Sequence, residues 1–177
     1  MNRLTSISIG IILMAAGCAT ADSPKPMNDL EIAHTAYTAG QLDIRYAHLA
    51  LGISENAEVR EFAELMVRDH VAVNDAAVAL ITKLNVTPQD NDLSKALVSG
   101  ASDKRGELSG LRGKAFDCAY AQNELSYHQI VNKTVAETFI PSVTVPPLKT
   151  LLDGALRTFK QHEGHAEMMV AGLQCGS

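Results

Sequence analysis

Ionisable side chains recur where a helical reading of this sequence leaves no room for water. In "MVRDHVAVN", His70 lies on a stripe of Val59, Phe62, Ala63, Met66, Val73, Ala77, Leu80 and Leu84, apolar residues repeating at three- and four-residue steps. Asp43 stands between Gly40 and Ala47 on a similar stripe, and His162 interrupts another. Asp117, Tyr120, Glu124 and His128 follow at steps of three, four and four, one above another on a single helix face. An unsatisfied buried polar group costs about 1–3 kcal/mol, and an unpaired charge costs more. Two chemistries answer that cost. Imidazoles and carboxylates can bind a transition-metal ion, or His, Asp, Glu and Tyr can satisfy one another in a network that fixes helix register.

The elements that must position these groups are helices. Residues 29–52 carry Ala33, Ala36, Tyr37, Gly40, Ile44, Ala47 and Leu51 on one face, and the segment closes at "GISENAEV", where Ser54 is expected to cap a second helix over 55–86. Pro88 ends that helix. The connection up to Gly113 is too long to be structureless, so it is expected to hold a helix over 92–110 with Leu93, Leu97, Leu108 and Leu111 inward. A third main helix spans 114–139. After "IPSVTVPPL" a fourth spans 146–173, with Leu148, Leu151, Leu152, Ala155, Phe159, Ala166, Met169 and Leu173 on one side.

Two hairpins joined by a long, partly helical crossover between helices 2 and 3 define an all-α, ferritin-like four-helix bundle in which helices 2 and 3 run parallel. His70 and His128 then stand at similar heights, about fifteen and fourteen residues into their helices, with Asp43 and His162 within about two turns of them. The expected ligand set is therefore His70, His128 and His162 with Asp43 or Glu124, around one ion of Fe, Cu or Zn. Asp69, Asp117 and Tyr120 are expected to support it as a structural network. A two-metal ferroxidase is disfavoured, because the Glu-x-x-His pairs of such sites are missing: Asp69 adjoins His70, and Glu124 and His128 are four apart.

Other features carry less. His165, in "KQHEGHAEMM", falls beside the stripe and is expected in solvent, Met168 and Met169 read as packing, and His34 and His48 lie off the inner face. No phosphate-binding loop, zinc-type cysteine pairing or nucleophile elbow is present. Fifteen Lys and Arg are scattered among twenty acids in 177 residues, a formal charge of −5, so a nucleic-acid footprint is excluded. Hydrophobic residues make up 46% of the chain, and its eight aromatics include no Trp, which suits one Ala- and Leu-rich helical domain.

The first seventeen residues read as an export signal, with Arg3 followed by an apolar run from Ile7 to Ala16 that is too short to span a bilayer. "LMAAGCATADSPKP" resembles the bacterial lipoprotein signal, in which the cysteine, here Cys18, is acylated and becomes the first mature residue. Cleavage after Ala21, releasing a soluble periplasmic protein, is the rival expectation. Losing the leader removes Arg3 alone from the charge count, taking −5 to −6. Residues 18–28, with Pro24 and Pro26, read as a tether and 29–175 as the domain. In an oxidising compartment Cys118 and Cys175 form either a disulfide or two separate buried thiols. The topology puts both at one end, and pairing requires the tail to fold back after Gly172.

"AYTAGQLDIRYAHLAL", "VREFAELMVRDHVAVN", "LRGKAFDCAYAQNELSYHQ" and "LLDGALRTFKQHEGHA" together resemble the bacterial family catalogued as domain of unknown function 4142, small exported ferritin-like helical proteins, over roughly residues 30–172. The resemblance implies a fold and a cell-envelope location more than an activity. Its motif positions fall on Asp43, Asp69, His70, Phe116, Asp117, Tyr120, His128 and His162, with Asp43 where the family more often has Glu. The expected protein is a helical bundle on the periplasmic face, lipid-anchored to the outer membrane and holding one interior metal ion. The alternative is a structural or stress-related interaction module with no ion, and a single-metal oxidase comes third. Neither a protein partner nor an oligomeric state is legible.

Overall fold

The first three helices each start where an asparagine side chain caps the first unpaired N–H groups, and the last starts on prolines. In the computed structural model, which describes residues 26–175, Asn28 opens α1 (Asp29–Ile53) with a capping box: its side chain accepts from the Leu30 and Glu31 N–H groups, and the Glu31 carboxylate accepts from the Asn28 N–H. The expected leader, Cys18 and most of the expected tether lie outside the described residues.

α2 (Ala57–Leu84) is capped by Asn56, not Ser54. The Ser54 hydroxyl donates instead to Asp117 at 2.5 Å, while its oxygen accepts the Asn56 N–H, so Ser54 is committed across the fold and the cap passes to the next Asx residue. α2 ends on Asn85 in the left-handed conformation, φ 52°.

α3 (Asp92–Ser109), capped by Asn91, fills the crossover. α4 (Gly113–Thr134) begins on a glycine at φ 56°, a conformation that suits a residue without Cβ. It widens into a π turn (Val135–Phe139) before the short α5 (Ile140–Ser142), whose Pro141 has no N–H to continue the ladder. α6 (Pro146–Gly172) starts on two prolines. Among the described residues there is no strand, and no helix is long and apolar enough to cross a membrane.

Interelement bonds fix the directions. Ser54, just after α1, meets Asp117 near the start of α4, and Cys118 is disulfide-bonded to Cys175 just beyond α6, with Cα atoms 5.3 Å apart. The end of α1, the start of α2, the start of α4 and the end of α6 therefore share one end, so α2 and α4 run parallel. The tail folds back as the pairing requires: Gln174 takes φ 53° and the Cys175 N–H reaches the Val170 carbonyl. At the other end Asp29 accepts from the Thr144 N–H. α1 packs between α2 and α4, α6 packs against the same two, and α3 lies over α1.

α1, with neighbours on several sides, buries more than the single stripe expected: Thr35 accepts from the Asn91 amide at the start of α3, Tyr46 meets Tyr127 of α4 edge-on, Ile32 joins the cluster of the π turn and α6, and Leu42 is buried as well. α3 itself departs from expectation in Leu93, which is 38% exposed, whereas Leu108 is buried.

The apolar core forms two clusters. The larger, around Tyr46, Phe62, Met66, Phe116, Tyr120 and Met169, fills the disulfide end. The smaller, around Ile32, Val135, Phe139, Leu148 and Leu152, closes the other. The ionisable groups lie between them.

Candidate metal centre

Each surrounding helix delivers its polar group at the step where its apolar stripe passes from one cluster to the other. α1 supplies Asp43, α2 His70, α4 Glu124 and His128, and α6 His162, all between 0% and 4% exposed. The rings of His70, His128 and His162 form a nearly equilateral triangle with centroids 5.4–5.7 Å apart. One nitrogen from each lies within 4.8 Å of the other two, and Asp43, Glu124 and His128 form a second such group sharing His128.

Asp43 Oδ2 is 3.3 Å from His70 Nε2 and 3.4 Å from His128 Nε2, yet none of these atoms makes a hydrogen bond. Those separations match the edges of a tetrahedron: ligands about 2.0–2.1 Å from one ion stand about 3.3–3.4 Å apart. His162 belongs to the group of three imidazoles and Asp43 to the second group, with His128 common to both.

Two of the three imidazoles have their tautomers set from behind. His128 Nδ1 is 2.9 Å from the Glu124 carbonyl and therefore carries the proton, which leaves Nε2 as the free lone pair. His162 Nε2 donates to Asp69 Oδ2 at 2.9 Å, leaving Nδ1 free and without a partner. Arg68 holds the other Asp69 oxygen at 2.9 Å. The third ring, His70, is bonded at neither nitrogen and is held by stacking on Phe159, 4.2 Å between centroids and 9° from parallel.

Burial governs the protonation of the group. It pushes the His70, His128 and His162 pKa values down, most strongly at His70, where the other two imidazoles add to the effect. Burial also raises the Asp43 carboxyl to about 6, opposed by His128, and raises Glu124 further, aided by the Asp43 charge. Asp69 is lowered below the usual carboxylate range, its hydrogen bonds to His162 and Arg68 outweighing desolvation. The cluster thus presents neutral imidazole lone pairs and carboxyl groups short of positive charge, which is the donor chemistry a divalent ion requires.

The expected supporting residues divide. Asp69 joins the site through His162. Asp117 does not, because its carboxylate is taken by Ser54 near the disulfide. Tyr120 packs against Phe62 and Phe116, and its buried hydroxyl has no hydrogen-bond partner. His48 and His165 are exposed, and His34 faces Asp90 at 3.5 Å, away from the centre. Met169 is core, while Met168 is 61% exposed.

Two residues beside the centre escaped the sequence reading, Asn74 and Asn132, each buried one turn beyond a histidine on its own helix. Asn132 donates to the Phe159 carbonyl and to Glu163, at 3.1 and 2.8 Å. Asn74 packs so close to α1 that a Cβ at Gly40 would stand 2.6 Å from its Oδ1. The signal available was the shared H-x-x-V-N spacing of "HVAVN" and "HQIVN".

Fold and cluster define the class: an all-helical protein with a buried histidine–carboxylate group able to hold a metal ion. The chain belongs to the family described as domain of unknown function (DUF4142), which matches residues 15–169. No curated protein and no solved structure matches it.

Proposed function

We propose that this chain is an exported, ferritin-like four-helix bundle that binds one transition-metal ion through His70 Nε2, His128 Nε2, His162 Nδ1 and an Asp43 oxygen. The observation that carries the reading is the set of buried, unpartnered donor atoms at these residues, two of them left free by a tautomer-setting bond on the far side of the ring. Glu124, buried beside His128, is the reserve carboxylate whose ionisation balances the charge of the ion. Zinc, copper and iron all accept such a donor set. The lipoprotein-like "LMAAGC" run supports anchoring through Cys18 at the periplasmic face of the outer membrane.

The alternative, a non-catalytic module whose cluster only sets helix register, draws on the Asp69–His162 bond, which is complete without an ion. Elemental analysis of the protein purified without chelator separates the two. The expected result is one equivalent of metal, lost in His70→Ala and in His128→Ala, retained in His165→Ala, with helical circular dichroism kept throughout. A folded wild type that takes up no zinc, copper or iron overturns the metal reading and leaves the register role. Mass spectrometry of the N-terminal peptide for an acylated Cys18 tests the anchor.

A further inference from the structure

The half of the molecule away from the disulfide is not filled. A cavity of about 390 Å³ runs between α1, α2, α3, α4 and α6, from Asp43, His70 and His128 at its floor toward the smaller apolar cluster. The walls are apolar, and three lining residues, Val78, Leu93 and Ile130, are themselves 38–64% exposed, so the chamber communicates with solvent. An apolar space of this size bordered by polar groups without partners is the usual form of a small-molecule site.

The polar groups at the floor select the head of the molecule. Asn74 is 4% exposed, lines the chamber, and its Nδ2 donates to nothing; both nitrogens of His70 and both oxygens of Asp43 are likewise unbonded. A bare donor beside bare acceptors is met by a group that both donates and accepts. A carboxylate head would bring a second acid against Asp43, and an ammonium head would leave the Asn74 N–H unmet.

We propose that the chamber binds a neutral, mostly apolar molecule carrying a single hydroxyl, an alcohol or a phenol, with the hydroxyl between Asn74 and Asp43 and the hydrocarbon along α2. At about 30 Å³ for each non-hydrogen atom, the chamber holds about a dozen of them. Occupancy would place a hydroxyl beside the metal ligands, but binding itself requires no ion. The inference therefore goes beyond the metal reading and survives its failure.

The test is calorimetric titration of the full chain, stripped with EDTA, with 1-decanol, decanoate and decylamine. The expected result is binding of one decanol, with decanoate and decylamine each at least tenfold weaker. Asn74→Ala weakens decanol at least fivefold. Ala77→Phe, which fills the chamber from α2, weakens it at least tenfold, while its metal content, measured on unstripped protein, stays that of wild type; Ala36→Leu, from α1, does the same should Ala77→Phe misfold. No decanol binding by folded wild type overturns the proposal. Undiminished binding in both filled variants, a sign of surface adsorption, also overturns it, and equal binding of the charged amphiphiles overturns the hydroxyl assignment.

Discussion

His162 shows what a single residue owes to a distant one. Its Nδ1 is a usable donor atom only because Asp69, ninety-three positions earlier, takes the proton on Nε2. Removing the acceptor frees the ring to turn and to change tautomer, so Asp69→Ala is expected to weaken zinc binding about 10–100-fold with little change in stability, measured by competition with a chromogenic chelator. Asp43 sets the pH dependence. Its carboxyl is raised to about 6 by burial, whereas burial lowers the imidazoles, His70 most strongly, and so favours their neutral form. Zinc affinity is therefore expected to rise with pH through about 6 and to go on rising above it, because Glu124, raised further by burial and by the Asp43 charge, ionises later.

For the metal-free protein the sign reverses. A carboxyl whose folded pKa exceeds its unfolded 3.8 favours folding at low pH, and that contribution is lost as pH climbs toward 6. Asp43→Asn is thus expected to gain stability relative to metal-free wild type over that interval, read by urea titration at each pH. The histidines and Asp43 were legible in sequence because each breaks a periodic apolar face. The partnership of Asp69 with His162 was not, since it requires α2 and α6 to be adjacent. Asn74 and Asn132 carry no such mark, because an uncharged amide on a helix face fits many environments.

Among the elements, the helix positions follow from the residues that start and stop them. Pro88 and the prolines at 146 and 147 bound helices within two residues of the expected places. Ser54 is the instructive exception: as the first capping residue after α1 it was the natural start of α2, but a hydroxyl can be drawn away by a carboxylate from another element. Ser54→Ala is expected to leave the buried Asp117 oxygen without its partner, destabilising the fold by about 1–3 kcal/mol in urea unfolding without loss of metal. The far half of α2 was legible as an apolar face. Periodicity does not tell whether such a face meets side chains or space, and Val73, Ala77, Leu80 and Ile81 meet a chamber.

For the whole molecule, the order of the helices and the Cys118–Cys175 bond support each other. The parallel course of α2 and α4 follows from two bonds at one end, of Ser54 to Asp117 and of Cys118 to Cys175, and a crossover long enough to hold α3 permits it. The disulfide closes a loop of 57 residues, for which chain entropy alone gives about 4 kcal/mol of stabilisation. Cys118→Ser is expected to lower the denaturation midpoint accordingly while keeping one equivalent of zinc, because His128 lies about 15 Å further along α4.

The same bond divides the molecule into halves of unequal firmness. Side chains fill the stapled half; the other half encloses the chamber, which reaches solvent beside Val78, Leu93 and Ile130. Local opening is cheapest where apolar contacts are fewest, so slow breathing is expected of the hollow half, and the ligands stand at its boundary with the dense one. An ion held as proposed would then exchange at a rate set by that breathing, without waiting for the chain to unfold.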